Sequence, residues 1–356
     1  MTKNHRFFLD LAFRIAETNL GKTKLNPSVG TIIVKDNAVI SSGVTSINGR
    51  PHSEFNALNK KNINFNGAHL YTTLEPCTHY GSTPPCVNII IRKKIKKVFY
   101  SFHDPDLRTL KKAKMILKNN KIKTKLIKNI NFKDFYKSYF FNKKYNLPFI
   151  SAKIALSKDY YSINKKSKWI TNNLSKKVTH LLRSKNDCII STSKTINKDN
   201  ALLNCRLDGL NSNKPDLFII DLNLKLKKNL LINNITNKRK TFLITNIRNK
   251  NKVALFKKKS FKIIFIKSLN KKNEFLKLFT KIYRLHYSRV LFETGLTFLN
   301  SLLKFNLIHD LYVLKSNLLL KNYGSNNAST HYIRKIKLNK KIKINLNNDS
   351  LYKKEF

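Results

Sequence analysis

The sequence predicts two α/β domains in a chain of 356 residues. Short apolar runs typical of strands alternate with segments of helical spacing, and this alternation indicates layered α/β folds with some parallel strand pairing. Hydrophobic residues make up 41% of the chain, enough apolar surface to form buried cores. The length exceeds that of an average single domain, so we place a boundary near Pro148 and predict domains at 1–147 and 148–356.

The first domain begins with an amphipathic helix whose apolar face carries Phe8, Leu11, Ala12 and Ile15. Two apolar runs on either side of KDN predict a hairpin, and further strands are predicted at AHLYTTLEP, KKVFYSF and IKTKLI. Helical spacing is found between these strands in PHSEFNALNKKN, PPCVNIIIRKKI and LKKAKMILKNN. Proline suits the start of the second of these helices because the first N–H groups of a helix have no intrahelical acceptor.

The second domain begins with the strand PFISAKIALS. Further strands are predicted at DCIIS, DLFIID, TFLITN, FKIIFI, RVLFET and DLYVLK, and helices between them include LSKKVTHLLRSK and LTFLNSLLKFN. The chain after about residue 334 is basic, and we expect its end to be disordered, as exposed termini often are.

The charge of the chain is strongly positive, with 71 Lys plus Arg against 19 Asp plus Glu and a net charge of +52. Such a field attracts nucleic acid or an anionic membrane. The lysines are spread along the whole chain together with abundant Asn, which favours a general drift in composition over a specific binding patch. The positive potential is also compatible with a small-molecule substrate that carries a phosphate group.

The cysteine content and the N-terminus favour a reducing cytoplasm. Four cysteines are too few for a disulfide scaffold in a chain of this size. The first residues lack the apolar core and cleavage site of a signal peptide, and the sequence has no apolar run of about 18 residues that would span a membrane.

A candidate zinc site is formed by His52, Cys77 and Cys86, with Glu54 beside it in an H-x-E pattern. One imidazole and two thiolates suit Zn²⁺ with a fourth position open for water, whose pKa zinc lowers to about 7. Glu54, which is not a ligand, can then carry the proton from water to a leaving amine. Each residue is individually more often structural, but their order and their positions at element boundaries indicate a zinc deaminase.

The segments NPSVG, HSEFNAL and TLEPCTHYGSTPPC resemble the bifunctional deaminase/reductase family of bacterial riboflavin biosynthesis. The resemblance implies a cytidine-deaminase-like three-layer α/β/α domain, followed by a dihydrofolate-reductase-like α/β domain. It implies hydrolytic deamination of 2,5-diamino-6-(5-phosphoribosylamino)pyrimidin-4(3H)-one, with Asn26 in the substrate pocket. NADPH then reduces the ribosyl group of 5-amino-6-(5-phosphoribosylamino)uracil to ribityl. The small-molecule partner is thus a phosphorylated pyrimidine, and no specific nucleic acid is expected.

The family pattern C-S-H-H-G-R-T-P-P-C is altered at two positions between the cysteines. Tyr80 replaces the second histidine, and Ser82 replaces the arginine. If that arginine contacts the substrate phosphate in the family, a nearby Lys or Arg has to compensate in this chain. A smaller departure is Ser53, which stands where the family has alanine between His52 and Glu54.

The resemblance continues into the second domain through KIALSKD, SKWIT, LLRS, TSKTINKDNALLNCR and FETGLTFLNSLL. It implies cofactor contacts at Ala155, Trp169, Thr195, Asp199 and Gly295, and substrate contacts at Lys153, Ser167, Arg183, Leu203, Arg206 and Glu293. The chemistry agrees, because two arginines can hold a phosphate by bidentate contacts and a glycine before a helix lets phosphate approach backbone N–H groups. Singly, the tryptophan suits a core position and a helical arginine suits the surface, so only the ordered set indicates a reductase.

Two other functions stay open on the sequence alone. The family sequence D-G-R is replaced by DYY, which puts the turn at Tyr160 in doubt, and Ala201 and Leu296 replace family prolines. These changes motivate a deaminase with a decayed reductase domain. The positive charge motivates an RNA-binding protein or a tRNA deaminase, although those deaminases usually have two residues, not eight, between their cysteines. The sequence also leaves open whether the chain forms a homo-oligomer.

Overall fold

Two sheets organise the chain, one in each of two units, Met1–Asn146 and Leu147–Phe356. The computed structural model describes residues 2–210, 215–236, 238–330, 332–338 and 340–356. Within these ranges, no helix has both the length and the apolar character needed to cross a membrane.

The sheet of the first unit has the strand order β2-β1-β3-β4-β5, in which β1 is antiparallel to its neighbours and β3, β4 and β5 are parallel. Its strands are β1 (Gly30–Lys35), β2 (Ala38–Val44), β3 (His69–Leu74), β4 (Lys97–Phe102) and β5 (Lys123–Leu126). Its helices are α1 (Thr2–Glu17), α2 (Ser53–Leu58), α3 (Cys86–Arg92), α4 (Lys112–Asn119) and α5 (Lys137–Tyr145).

Helices cover both faces of this sheet and make it the middle of three layers. Successive strand residues point to opposite faces, so Ile32 packs with α1 whereas Ile33 packs with α2, α3 and α4. The buried face of α1 is wider than the sequence predicted. Leu9 and Phe13 are fully buried against β1 and β3, whereas the predicted Leu11 and Ile15 are only partly buried at its edge.

The main sheet of the second unit has the strand order β11-β10-β9-β8-β12-β6-β13-β15, parallel throughout except for β15. Its strands are β6 (Phe149–Leu156), β8 (Cys188–Thr192), β9 (Asp216–Ile220), β10 (Thr241–Thr245), β11 (Phe261–Phe265), β12 (Arg289–Phe292), β13 (Asp310–Lys315) and β15 (Ser350–Glu355). A small separate sheet pairs β7 (Tyr161–Asn164) with β14 (Gly324–Asn327). The helices are α6 (Asn173–Ser184), α7 (Ser193–Asp199), α8 (Lys250–Lys258), α9 (Lys272–Arg284) and α10 (Leu296–Lys304).

The end of the basic tail is ordered, so the expected disorder is wrong there. Strand β15 pairs antiparallel with β13 along its whole length. Lys353 lies 3.3 Å from Asp310 and 2.6 Å from Glu355, so the positive charge of this strand is partly neutralised. A charged edge strand of this kind has little of the apolar alternation by which strands are predicted.

The turn at Tyr160 keeps a conformation that favours glycine, although the residue is tyrosine. Tyr160 has φ +66°, in the left-handed region. Its hydroxyl accepts a hydrogen bond of 3.0 Å from Lys315 Nζ, and its ring lies 4.2 Å from the charged groups of both Lys315 and Arg334. Cation–π contacts therefore offset part of the backbone strain at this turn.

Candidate active sites

Three element boundaries bring the predicted metal ligands together in the first unit. His52 is the residue before α2, Cys77 lies just beyond β3, and Cys86 is the first residue of α3. His52 Nδ1 is 3.6 Å from Cys77 Sγ and 3.4 Å from Cys86 Sγ, and the three ligand atoms lie within 4.8 Å of one another. One imidazole and two thiols at these distances can converge on a single ion.

The thiols of Cys77 and Cys86 are hydrogen-bonded to each other, and this contact shifts their pKa values in opposite directions. Cys77 Sγ accepts a hydrogen bond of 3.2 Å from the backbone N–H of Cys86. The Cys86 thiol lowers the pKa of Cys77 to about 4 by hydrogen bonding, with His52 adding to the effect against the cost of burial. The same contact with Cys77, together with burial, raises the pKa of Cys86.

Glu54 is buried beside the ligands on the first turn of α2. Ser53 Oγ donates a 3.1 Å hydrogen bond to Glu54 Oε2 and is itself held at 2.8 Å from Thr31 Oγ1 on β1. Burial, with the nearby Cys77 thiolate, raises the pKa of Glu54, while His52 opposes the rise. A carboxyl group in this position can hold a proton close to the three ligands.

Asn26 lies in the loop before β1, half-buried, with its backbone carbonyl accepting from Thr23 Oγ1 at 2.8 Å. Its side chain lies against Gly49, in the segment that leads to His52. A Cβ atom on Gly49 would come within 2.3 Å of Asn26 Nδ2, and the φ of +92° at Gly49 also favours glycine. The glycine is therefore needed where these two loops approach each other.

Two side-chain contacts of the loop between the cysteines were not predicted from the sequence: that of His79, on the loop itself, with Thr109, and that of Arg50 with Thr83. His79 Nδ1 is 3.0 Å from Thr109 Oγ1, and burial lowers its pKa. Arg50 Nη1 donates to Thr83 Oγ1 from the segment before His52. The spacing of the motifs contained no sign of either contact, since each joins residues about 30 positions apart.

In the second unit, a cavity of about 520 Å³ opens near the carboxyl ends of β6, β8 and β12. The carboxyl ends of neighbouring parallel strands are the usual position of ligand sites in α/β folds. The residues that the sequence assigned to the reductase site line this cavity with the exception of Ser167: Lys153, Ala155, Trp169, Arg183, Thr195, Asp199, Leu203, Arg206, Glu293 and Gly295.

A buried ion pair forms one wall of this cavity. Arg183 donates from Nε and Nη2 to the two Glu293 oxygens at 2.6 and 2.9 Å, and from Nη1 to the Asn204 carbonyl at 3.0 Å. Arg206 Nη1 donates to Asn204 Oδ1 at 2.6 Å, and His180 Nδ1 also lies 3.0 Å from the Asn204 carbonyl. Arg183 therefore uses both edges of its guanidinium within the protein, whereas Arg206 keeps donors for a ligand.

Trp169 and Gly295 leave space for a ligand on the cavity wall. Trp169 is 50% exposed, and Lys176 Nζ lies 4.1 Å from the centre of its ring. Ser167 supports the tryptophan, because its hydroxyl accepts from Trp169 N at 3.2 Å. Gly295 precedes α10 and donates to Thr195 Oγ1 at 3.2 Å, and a Cβ atom there would meet only that oxygen, at 3.8 Å.

Comparisons with known proteins match both units. The model of the cytidine and deoxycytidylate deaminase zinc-binding region matches residues 2–102, and that of the RibD C-terminal domain matches residues 148–320. A solved structure of Acinetobacter baumannii RibD superposes with a TM-score of 0.82 at 25% identity, covering 99% of this chain and 98% of that one. A Thermotoga maritima diaminohydroxyphosphoribosylaminopyrimidine deaminase/5-amino-6-(5-phosphoribosylamino)uracil reductase shares the fold, with a TM-score of 0.80, 23% identity and 99% coverage of both chains.

Curated relatives give the same result along most of the chain. The riboflavin biosynthesis protein RibD of Buchnera aphidicola subsp. Baizongia pistaciae is 31% identical over 340 residues, covering 89% of this chain and 88% of the relative. That of Aquifex aeolicus is 29% identical over 300 residues, covering 83% and 82%. The chain belongs to the RibD family, the bifunctional enzymes of riboflavin biosynthesis that join a deaminase to a pyrimidine reductase.

Proposed function

We propose that residues 1–147 deaminate 2,5-diamino-6-(5-phosphoribosylamino)pyrimidin-4(3H)-one and that residues 148–356 reduce the ribosyl group of 5-amino-6-(5-phosphoribosylamino)uracil to ribityl. The observation that carries the proposal is the convergence of His52, Cys77 and Cys86 beside the buried Glu54. This arrangement occurs in a chain that also has a well-formed cavity in its reductase unit.

Zinc fits the ligand set of the first unit. His52, Cys77 and Cys86 supply one nitrogen and two sulfurs, a donor set that zinc accepts when it keeps one position open for catalysis. Cys77 favours metal binding further, because its pKa of about 4 makes it a thiolate at neutral pH. When bound, zinc supplies Lewis acidity that makes water a nucleophile at neutral pH.

Glu54 is the proton carrier of the deamination in this proposal. Its carboxylate takes the proton that the attacking water loses and returns it to the amine, which leaves as ammonia. Burial keeps bulk water from competing for this proton, and the Ser53 hydroxyl holds one carboxylate oxygen in a fixed orientation. The half-buried Asn26 offers an amide that can pair with the edge of the pyrimidine.

NADPH fits the cavity of the second unit. The open space at Gly295, directly before α10, lets a phosphate reach backbone N–H groups at a helix N-terminus. Trp169 offers an exposed aromatic face, with Ala155, Thr195 and Asp199 on the same cavity wall. When bound, NADPH supplies the hydride.

The reductase substrate is assigned to the basic part of the cavity. Arg206 has guanidinium donors left for the substrate phosphate, and Leu203 provides an apolar contact nearby. Arg183 acts mainly by holding Glu293 and Asn204 in position. Desolvation lowers the pKa of Lys153, so its ammonium group can donate a proton to the ring oxygen that is released when the sugar C1 is reduced and the ribosyl ring becomes an open ribityl chain.

A cytoplasmic location is part of the proposal. It rests on the cysteine content, since four cysteines are too few for a disulfide scaffold in a chain of this size.

Metal analysis combined with activity tests the deaminase assignment. We expect about one zinc per wild-type chain, loss of zinc and of ammonia release in Cys77→Ala, and normal values in the matched control Cys188→Ala. Glu54→Gln is expected to keep its zinc and to lose ammonia release by about 10²- to 10⁴-fold. Full zinc content and turnover in Cys77→Ala would contradict the assignment.

NADPH oxidation with the deaminated product tests the reductase assignment. Turnover by the wild type supports a bifunctional enzyme. Its absence in a folded, zinc-loaded protein would leave a deaminase with a decayed reductase.

A further inference from the structure

Arg50 occupies the space beside Ser82 on the loop between the two cysteines. Its Nη1 donates to Thr83 Oγ1, and a Cβ atom on Gly81 would lie 3.2 Å from its Nη2. The guanidinium thus contacts the residues on both sides of Ser82. Arg50 stands two residues before His52, so its contact with Thr83 joins the segment before the H-x-E pattern to the cysteine loop.

Arg50 has most of its hydrogen-bonding capacity free. Thr83 uses one of its five N–H donors, and within the described ranges Arg50 has no carboxylate at ion-pair distance. Arg50 is half-buried as a residue, so a ligand that binds it displaces less water than at a fully exposed arginine. An arginine held in this way is ready to bind an anion with both edges of its fork.

A second arginine lies at the same loop but is already occupied. The carbonyl of Arg108 accepts from Thr78 Oγ1, which attaches this residue to the cysteine loop. Its Nε and Nη2 donate to the two oxygens of Asp106 at 2.9 and 2.6 Å, and Lys143 is 3.1 Å from the same carboxylate. Arg108 and Lys143 therefore share one carboxylate, whereas Arg50 has no carboxylate at ion-pair distance in the described ranges and keeps most of its donors for a further anion.

We propose that Arg50 binds the phosphate group of the deaminase substrate, in the place of a cation at position 82. The inference rests on the proposed function, which gives that substrate a 5-phosphoribosylamino group. A phosphate dianion has to be bound while the pyrimidine lies at the metal ligands. Arg50 offers a planar fork for it on the loop that carries both cysteine ligands at its ends.

The test removes the Arg50 side chain from the protein and the phosphate group from the substrate, separately and together. Ammonia release is measured for wild type and Arg50→Ala, each with the phosphorylated substrate and with its dephosphorylated counterpart. We expect Arg50→Ala to raise KM for the phosphorylated substrate by about 10- to 100-fold, the value of a charge-assisted hydrogen-bonded contact, with kcat little changed. KM for the dephosphorylated compound should be the same in both proteins.

Moving the guanidinium from position 50 to position 82 tests whether the positive charge sets the affinity for the phosphorylated substrate. A purely structural role of Arg50 would not be restored by this change. Ser82→Arg in the Arg50→Ala protein is expected to restore much of the lost affinity, because it returns a guanidinium to the same part of the loop. Thr83→Val removes the loop contact of Arg50 but not its charge, so KM should stay within about threefold of wild type. Arg92→Ala, an equal loss of charge at the far end of α3, is the neutral control.

Zinc content and reductase turnover of each variant show that it is folded. Equal losses for both substrates in Arg50→Ala, or an unchanged KM with the phosphorylated substrate, would overturn the role of Arg50 and leave the proposed function standing. A wild type that is zinc-loaded and deaminates neither compound would overturn the proposed function and the role of Arg50 together.

Discussion

The buried pair of Arg183 and Glu293 offers the sharpest test of how the reductase cavity is held together. We consider Glu293→Gln, which keeps the shape of the side chain and removes its charge. In the wild type, burial favours the neutral acid, but the charge and hydrogen bonds of Arg183 outweigh burial and lower the pKa of Glu293. Glutamine can still accept from one guanidinium nitrogen, but its NH₂ group faces a second donor.

Glu293→Gln is expected to lower the stability of the domain because it leaves the buried guanidinium of Arg183 without its carboxylate partner. The side chains of Arg183 and Glu293 are only 11% and 8% exposed. Removing one member of such a pair costs about 3–5 kcal/mol. For a domain of this size, 1 kcal/mol corresponds to a change in Tm of about 2–4 °C, so Glu293→Gln should melt about 6–20 °C below wild type.

Trp169 provides the assay, because it is the only tryptophan in the chain and lies in the second unit. Its fluorescence follows the melting of the reductase domain, while ammonia release provides an internal control for the deaminase domain. The pKa of Glu293 is lowered on folding, so the stability from its charge is present above about pH 5 and is lost as pH falls through the lowered pKa. The difference in Tm between wild type and Glu293→Gln should shrink accordingly in acid.

A double-mutant cycle tests whether the loss of stability in Glu293→Gln comes from the unpaired charge of Arg183. In an Arg183→Met background, Glu293→Gln is expected to cost much less than in the wild type, since the guanidinium that it would leave unpaired is already gone. Two results would show that this ion pair does not stabilise the cavity wall. One is a Tm of Glu293→Gln within about 2 °C of wild type at neutral pH, and the other is an equal loss of stability in the Arg183→Met background.

Two further predictions concern stability away from the metal ligands. Burial raises the pKa of Asp104 to about 6, so its ionised form should cost about 3 kcal/mol, with stability greatest below about pH 4 and falling as pH rises through 6. Asp104→Asn can still accept from Tyr139 and should raise Tm in calorimetry at pH 8 but not at pH 4; an equal effect at both would exclude a buried charge. Tyr160→Gly should be more stable than Tyr160→Ala by about 1 kcal/mol, measured by Trp169 fluorescence, because both variants lose the ring contacts but only alanine keeps the backbone strain. The reverse order would exclude strain at this turn.

The sequence predicted best those features that depend on neighbouring residues. His52, Cys77 and Cys86 lie at element boundaries that proline and hydrophobic spacing mark, so their convergence could be inferred from local patterns alone. The residues of the reductase cavity were predicted from the resemblance to the family, and the structure brings all of them except Ser167 to one cavity. The roles of these residues in catalysis and binding remain predictions.

The sequence failed where a contact depends on distant parts of the chain. Arg183 was predicted to contact the substrate, and nothing in its local sequence indicated that Glu293, 110 residues away, accepts from two of its donors. The role of Arg183 toward the substrate stays a prediction. The C-terminal strand was missed because Lys353 is neutralised by Asp310, on a strand far from it in sequence. Local patterns of charge and hydropathy carry no information on such pairs.

Two of the departures of this chain from its family pattern, Ser82 and Tyr160, share one physical feature. Ser82 removes a cation from the cysteine loop, and Arg50 brings one to the same place. Tyr160 introduces strain where glycine is usual, and Lys315 and Arg334 flank its ring. In a chain of net charge +52, a cation is available near both of these altered positions. The charge therefore says little about the partner of the protein, but it accounts for the way in which altered site residues can be replaced by others nearby.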